Sequence, residues 1–460
     1  SLSMHKIDID VVDMTLDVMK YVIGRITKTH PELGIPISEQ ELRERIGQTI
    51  SAEGIGGQKA FELFREVLVK HTVPIDHPRN LAFVPAAPTR AAIMFDLVTS
   101  ASSIHGAYWM EGAGGIYCEN EAMQWLVSLT GLPQGAFGVF TSGGTAANLS
   151  ALVAARHQWR TLSNERTSKR GLMVCSNHAH ASVKAMAQVI DADVLSIDCY
   201  GAMSAHQVIE AVNRLSADDQ DRIFALVVTA GTTNAGIIDD LKGCGELCAN
   251  KSWWMHVDGA YGGAALAAPS VRHLFDGIER ADSITIDPHK WLFAPYDCGA
   301  VLYKDPQKAK AAHTQEGNYL AIFNEPQFTG FNPADYQIQL TRRVRGLPLW
   351  FSLAMHGTDR YSQAIEQGIA LAGIAVLAIE KRSYLRVTRP SSLSVVLFER
   401  IGWTDQQYSA WTYEQLACGF ALVAPTKDLV DGVWKTVARF CFINIDTTIE
   451  DIESILDTLE

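Results

Sequence analysis

The sequence predicts an α/β fold: a mainly parallel central sheet flanked by helices, joined to a smaller α+β unit. Three observations lead there. Short β-branched runs alternate with helical patterns between residues 144 and 303. Residues 4–75 read mostly as helix, and residues 346–460 return to a mixed helix and strand pattern. Strands that alternate with helices are joined by right-handed crossovers, so they lie parallel in one sheet covered on both faces. Such sheets bind ligands beyond the carboxyl ends of their strands.

The N-terminal segment, 4–75, is the first unit. Met14, Leu16, Val18, Met19, Val22, Ile23 and Ile26 recur at helical spacing. Pro31, Gly34 and Pro36 break the pattern. Ser38 with Glu41 three residues on has the form of a capping box. A third helix is expected over 57–71. The large domain is expected over 76–345. Its strands fall at 172–175, 194–197, 223–229, 254–257, 283–286 and 299–303. Its helices fall at 144–159, 179–190, 206–215 and 241–250. From about 313 to 345 the chain is polar and irregular, marked by Gly317, Asn318, Pro326, Gly330, Asn332 and Pro333. A stretch of that length without regular structure is either functional or disordered. The C-terminal domain, 346–460, is expected to hold one long helix over 349–379, strands at 394–398 and 437–443, and a closing helix near 448–459.

Composition narrows the function. Hydrophobic residues are 47% and charged residues 20% of the 460. A core of that size folds without a metal or disulfide staple. The net charge of -12 lacks the basic stripe of a nucleic-acid binder. The densest basic cluster, Arg342-Arg343-Val344-Arg345, is short, flanked by apolar residues and read as a loop-and-helix feature. The eight cysteines show no framework spacing, and no second pair joins Cys244 and Cys248 to complete a zinc site. Scattered thiols and the lack of a signal-peptide pattern make a cytoplasmic location the expectation. Ser1-Leu2-Ser3 ahead of Met4 is expected to be a cloning remnant. The most apolar stretch, 368–379, is shorter than the roughly 20 residues that span a bilayer. It is read as a buried helix face, with no membrane partner.

Five motifs carry chemistry. Thr141-Ser142-Gly143-Gly144-Thr145-Ala146-Ala147-Asn148 enters a helix. Glycines let a ligand approach the backbone, and a helix start offers free N–H groups and a positive dipole. That makes a phosphate cup, although alone it is equally a plain helix-start turn. Next, Trp254-Met255-His256-Val257-Asp258-Gly259-Ala260-Tyr261 ends a strand in a carboxylate. Asp258 there either faces a ligand or caps the next helix. Thr285-Ile286-Asp287-Pro288-His289-Lys290-Trp291 also follows an apolar run. A lysine in that setting is costly as a cation unless it pairs or reacts; the bland alternative is a surface lysine. His180, in Ser176-Asn177-His178-Ala179-His180, can stack flat on a ring or simply start a helix. Ala230-Gly231-Thr232-Thr233-Asn234 brings hydroxyls to a strand end.

In this order, across one α/β domain, the motifs resemble the group II pyridoxal-phosphate (PLP) dependent amino-acid decarboxylases. The resemblance covers residues 75–455. It is most specific at 141–148, 256–261 and 287–291, and Asp297-Cys298-Gly299, Arg342-Arg343, Ala438-Arg439-Phe440 and Asn444 agree with it. It implies PLP fold type I and a homodimer with its sites at the interface. It implies that Lys290 is the Schiff-base lysine, Asp258 the partner of the pyridine nitrogen and His180 the stacking histidine. Gly144 and Thr145 match phosphate contacts, Asp287 and His289 flank the lysine where the family also contacts phosphate, and Thr233 and Ala260 lie beside the ring. Phe83, Val84, Pro85 and Ala86 fall where the family lines its substrate pocket, with Ala107, Trp109 and Arg439 nearby. That apolar lining suits an aromatic amino acid.

The activity this implies is decarboxylation of an L-amino acid to an amine and CO2. The same motifs serve transaminases, aldehyde synthases and retro-aldol lyases. A metal hydrolase using His178, His180, His256, Asp258 and His289 leaves Lys290 without a task and lacks an H-E-x-x-H pattern. A catalytically dead binding protein is disfavoured because each core position is filled. In aromatic decarboxylases a loop tyrosine donates the final proton. Counting back from Arg342-Arg343, its position falls on Pro333, and Tyr336 or Tyr319 is the substitute.

Overall fold

The computed structural model describes residues 4–28, 30–85, 87–315 and 324–460. Three helices open the chain: α1 (Ile9–Thr27), α2 (Glu39–Ile46) and α3 (Gly57–Glu66). Asp8 caps α1 by accepting the N–H of Val11. Ser38 Oγ accepts the N–H of Glu41, which starts α2 where the box pattern placed it. The third helix ends at Glu66, and a 3-10 turn, Leu68–His71, finishes the stretch expected as one helix.

Helices α4 (Arg90–Ala101) and α5 (Trp109–Thr130) lead into the main sheet. There β1 (Phe137–Thr141), α6 (Gly144–Thr161), β2 (Leu172–Ser176), α7 (Ala181–Val189), β3 (Asp193–Ile197), α8 (Ala205–Asn213), α9 (Ala217–Asp221) and β4 (Ile223–Thr229) follow in order. Then come α10 (Leu241–Lys251), β5 (Trp254–Asp258), β6 (Ser283–Ile286), β7 (Gly299–Tyr303) and α11 (Pro306–His313). The seven strands lie in the order β1-β7-β6-β5-β4-β2-β3. Every residue of β4, β5, β6 and β7 is buried. Such strands read as continuous apolar runs because both faces are covered. Helix α6 packs across the sheet through Ala147, Ala151, Ala154 and Ala155, small enough to let its backbone lie close.

Two features of the sheet differ from expectation. Strand β7 is antiparallel to β6 and to β1. No helix separates β6 from β7, so the chain turns back at the end of β6 instead of crossing over. Strand β1 was not expected. Its Gly138 weakens the strand pattern, yet a Cβ there would stand 2.2 Å from the carbonyl oxygen of Val301 on β7.

The C-terminal part holds α12 (Leu347–His356), α13 (Thr358–Glu380), β8 (Leu385–Val387), β9 (Val395–Arg400), α14 (Asp405–Ala417), β10 (Thr426–Val430), β11 (Val433–Cys441) and α15 (Ile449–Asp457). Its four strands form an antiparallel sheet in the order β10-β11-β9-β8. The single helix expected over 349–379 is two, because Gly357 sits at φ 79° between α12 and α13. At 23 residues α13 is long and apolar enough to cross a membrane by length and composition, which corrects the shorter stretch read from the sequence. Its buried residues Tyr361, Ile365, Gly368, Leu371, Ala372, Ala375 and Ile379 recur every three or four positions, so one face packs into the protein.

The basic cluster is structural. Arg342 is fully buried and donates to both carboxylate oxygens of Glu119 on α5, at 2.7 and 2.9 Å. It also donates to the carbonyl of Gly106 at 2.7 Å. Glu119 accepts the N–H of Gly346 at 2.9 Å as well. Arg343 pairs with Asp96 and Arg345 with Asp297. The irregular stretch is thereby pinned to α5 just before α12 begins. Removing one member of a buried pair strands the other charge, at about 3–5 kcal/mol. Glu119→Gln is therefore expected to lower the denaturant midpoint by the equivalent of about 3 kcal/mol; an unchanged midpoint would show that the pair anchors nothing.

Candidate active site

The carboxyl ends of β1, β2, β4, β5 and β6 converge on one cavity of about 640 Å³. Each strand delivers one motif. From β1 come Ser142, Gly143 and Gly144, and from β2 His178 and His180. From β4 come Gly231, Thr232, Thr233 and Asn234, and from β5 Asp258 and Ala260. The turn after β6 supplies Asp287, His289 and Lys290. Thr145 of α6 and Ile338 and Gln339 of the irregular stretch close the wall.

Helix α6 starts at the cavity with no side-chain cap. Its first intrahelical bond is from Ala147 N–H to Gly143 O. The N–H groups of Gly144, Thr145 and Ala146 are thus left for a ligand or a side chain. Lys290 is four-fifths buried, and its Nζ stands 3.6 Å from Asp287 Oδ2. His289 accepts the N–H of Cys298 at Nδ1, so its proton is on Nε2, which faces Asp287 Oδ2 at 3.5 Å. Burial lowers His289 to about 4, and the Lys290 charge pushes the same way. His180 caps α7 by accepting the N–H of Ser182 at Nδ1, which fixes its ring across the start of that helix.

Asp258 is the most elaborately held group. Its Oδ1 accepts the N–H of Ala260 at 3.1 Å, and its Oδ2 accepts from Asn148 Nδ2 at 3.3 Å. With the amide nitrogen turned to Asp258, Asn148 Oδ1 accepts from His256 Nε2 and from Thr285 Oγ1, both at 2.7 Å. His256 Nδ1 is then the acceptor for Ser283 Oγ at 2.6 Å. Ser283 Oγ in turn accepts from Trp254 Nε1 at 2.8 Å, and an indole can only donate. One direction of donation runs along the chain, from Trp254 to Asp258. Burial lowers His256 to about 4 against the charge of Asp258, so the imidazole is neutral and the chain holds one tautomer. Asn148, Ser283 and Trp254 were not expected here. The sequence shows Asn148 only as the end of the phosphate-cup motif, four residues into a helix.

Other expected residues lie elsewhere. Phe83, Val84, Pro85, Trp109 and Arg439 do not line this cavity within the single chain. Phe83 is exposed at φ 56°, while Val84 packs into the main core. Arg439 donates to the carbonyls of Phe83 at 2.7 Å, Asn234 at 2.9 Å and Thr233. It ties the 83–85 segment to the wall of the cavity through backbone. Trp109 packs against Gly330, and its N–H is bonded to Asn332. Tyr336 is not at the cavity. Its ring stacks on Phe331 at 4.5 Å inside a hydrophobic cluster, and burial raises its phenol. Ala86, Gly317, Asn318 and Tyr319 lie outside the described residues. His256, which a metal site would need, has both ring nitrogens bonded to Ser283 and Asn148 and stands behind the cavity wall.

The site fits a phosphorylated aldehyde cofactor. Among buried side-chain atoms without a partner in the described residues, Asp287 Oδ1, His178 Nε2 and Gln339 Oε1 all belong to this cavity. Buried polar atoms are rarely left so unless something binds them. An amine, a helix start without an N-cap side chain and a strand-end carboxylate stand around the same space, the three contacts that PLP needs.

Comparison with known proteins agrees. The model of the pyridoxal-dependent decarboxylase conserved domain matches residues 40–401. The aromatic-L-amino-acid decarboxylase of Bacillus atrophaeus is 30% identical over 467 residues, covering 98% of this chain and 94% of that protein. The L-2,4-diaminobutyrate decarboxylase of Acinetobacter baumannii is 29% identical over 78% of this chain and 73% of its own. The crystal structure of Oryza sativa TDC with PLP and tryptamine shares the fold, with a TM-score of 0.89 at 23% identity over 100% of this chain and 99% of that one. The chain belongs to the pyridoxal-dependent decarboxylases, PLP-dependent lyases of amino acids built on fold type I.

Proposed function

We propose that this decarboxylase acts on an aromatic L-amino acid and releases the amine, with Lys290 holding the cofactor. The observation that carries this is the meeting of Lys290, Asp258 and the uncapped start of α6 in one cavity. When bound, PLP accepts the electron pair freed as the substrate carboxylate leaves as CO2. Asp258 supplies a fixed acceptor for the ring nitrogen, and the donor chain behind it keeps that acceptor in place. The N–H groups of α6 and Nε2–H of His289 receive the phosphate. His180 presents its ring as a flat wall, and Lys290 Nζ binds the cofactor and afterwards stands within reach to move protons.

The lining supports an aromatic over a dicarboxylic substrate. Lys290 is the only lysine or arginine among the described lining residues, and Arg439 already donates to three carbonyls. A second carboxylate would thus enter without a counter-charge. The Bacillus atrophaeus relative, named for aromatic substrates, points the same way.

One observation favours a second outcome. Pro333 stands where the donor tyrosine is expected, and Tyr336 is stacked in the core. Without a proton donor at the substrate carbon, oxygen reacts there, and amino acid, O2 and water give aldehyde, CO2, ammonia and hydrogen peroxide. We infer amine release, because loops change register more readily than scaffolds. The test follows CO2 release and oxygen uptake together. Aromatic amino acids are expected to exceed L-glutamate in kcat/KM by at least about tenfold, the effect of about 1.4 kcal/mol. Oxygen uptake should stay near zero, and borohydride should fix the cofactor on Lys290. Stoichiometric oxygen consumption contradicts amine release; a label on another lysine contradicts the site.

We also propose a homodimer. Helix α1 buries no residue in the single chain, and Ile9, Val12, Leu16 and Ile23 are exposed on it. Met94, Leu97 and Val98 of α4 are exposed too. A surface this apolar on a 19-residue helix is an interface pattern. Sedimentation should give twice the chain mass, and Leu16→Glu with Ile23→Glu should shift it towards monomer. A fully active wild-type monomer would refute the proposal.

A further inference from the structure

Asp287 is a carboxyl group where an anion is to bind. It lies directly over the first residue of α6: a Cβ added to Gly144 would stand 2.8 Å from Oδ2 and 3.1 Å from Oδ1. Its side chain is 3% exposed. Oδ2 faces Lys290 Nζ and His289 Nε2, whereas Oδ1 is buried without a partner. A phosphate monoester carries about -1.5 to -2 at neutral pH. Two anions cannot share a buried helix start unless one takes a proton.

We propose that Asp287 is a proton-carrying part of the phosphate cup: ionised against Lys290 when the cup is empty, it gains a proton from solvent as the phosphate enters and donates it to a phosphate oxygen. This rests on the cofactor reading above. The surroundings favour the exchange. Among the described residues Lys290 is the one cation facing Asp287. His289 is held neutral. Asp258, at the end of β5, opposes a charge on Asp287, and Tyr296 and Cys298 add no cation. The first turn of α6 contributes only Gly144, Thr145 and Ala146, none of which titrates. Burial already raises Asp287 to about 7, against the pull of Lys290 and the Gly144 N–H. A bound phosphate raises it further, so binding is strongest below that value and weakens as pH climbs above it.

The probe is pyridoxine 5'-phosphate, which has the phosphate but no aldehyde to react with Lys290. It is titrated into the cofactor-free full-length protein between pH 6 and 9. The dissociation constant of the wild type should rise above pH 7 by up to about tenfold per pH unit, the slope of one proton. Asp287→Asn keeps a donor but has no proton to gain, so its slope should be flatter by that amount. Unphosphorylated pyridoxine should show no difference between the two proteins. Calorimetry of the wild type at pH 8 in two buffers of different ionisation heat should report uptake of about one proton. Equal slopes with binding intact, or no proton uptake by the wild type, overturn the role of Asp287 alone. Failure of the wild type to bind the phosphorylated probe overturns the cofactor reading, and this proposal with it.

Discussion

The bond from Asn148 to Asp258 is the constraint on which the site depends. A carboxylate at a strand end rotates freely unless something holds it, and here the hold comes from behind the sheet. Trp254, Ser283, His256 and Asn148 donate in one direction, and the last donor faces Asp258 Oδ2. Each link is buried, so each would cost free energy if broken. The neutral imidazole of His256 closes the chain without adding a charge. Asn148 comes from α6, and the other three come from β5 and β6. On the proposed assignment, the helix whose N-terminus would hold the phosphate therefore also sets the carboxylate that would meet the ring nitrogen, so one element would register both.

That economy explains much of the fold around it. Helix α6 lies close to the sheet because its inward face is alanine. The turn after β6 places Asp287, His289 and Lys290 on one side of the cavity because β7 runs straight back. Arg439 then fastens the Thr233-Asn234 wall to the segment around Phe83. Polar groups are thus fixed from three directions before any ligand arrives, as preorganised catalysis requires.

The parallel strands were legible in the sequence because both their faces are buried, which leaves a continuous β-branched run. Residues 223–229 and 283–286 were placed to the residue. Strand β1 was hidden by Gly138, whose role is close approach to β7. The break between α12 and α13 falls in the polar stretch His356-Gly357-Thr358-Asp359-Arg360, which a helix surface also tolerates, and the positive φ of Gly357 makes the turn. That Lys290, Asp258, His180 and the α6 start meet at one cavity could be read because each follows the carboxyl end of an apolar strand. Asn148, Ser283 and Trp254 could not, since each is an ordinary residue inside a regular element and acts only through a distant partner. Tyr336 was drawn towards the site by counting along a loop, and its packing on Phe331 follows from contacts no local pattern contains.

The account is tested most directly at Asp258. Asp258→Asn keeps the size of the side chain and one of its two acceptor oxygens but supplies no negative acceptor to the ring nitrogen. It should still bind the cofactor on Lys290 and unfold near the wild-type midpoint, while kcat for CO2 release falls by at least about 100-fold, or about 2.7 kcal/mol. Near-normal kcat in a folded, cofactor-loaded Asp258→Asn protein would contradict the central claim, because the donor chain behind that carboxylate would then serve packing alone.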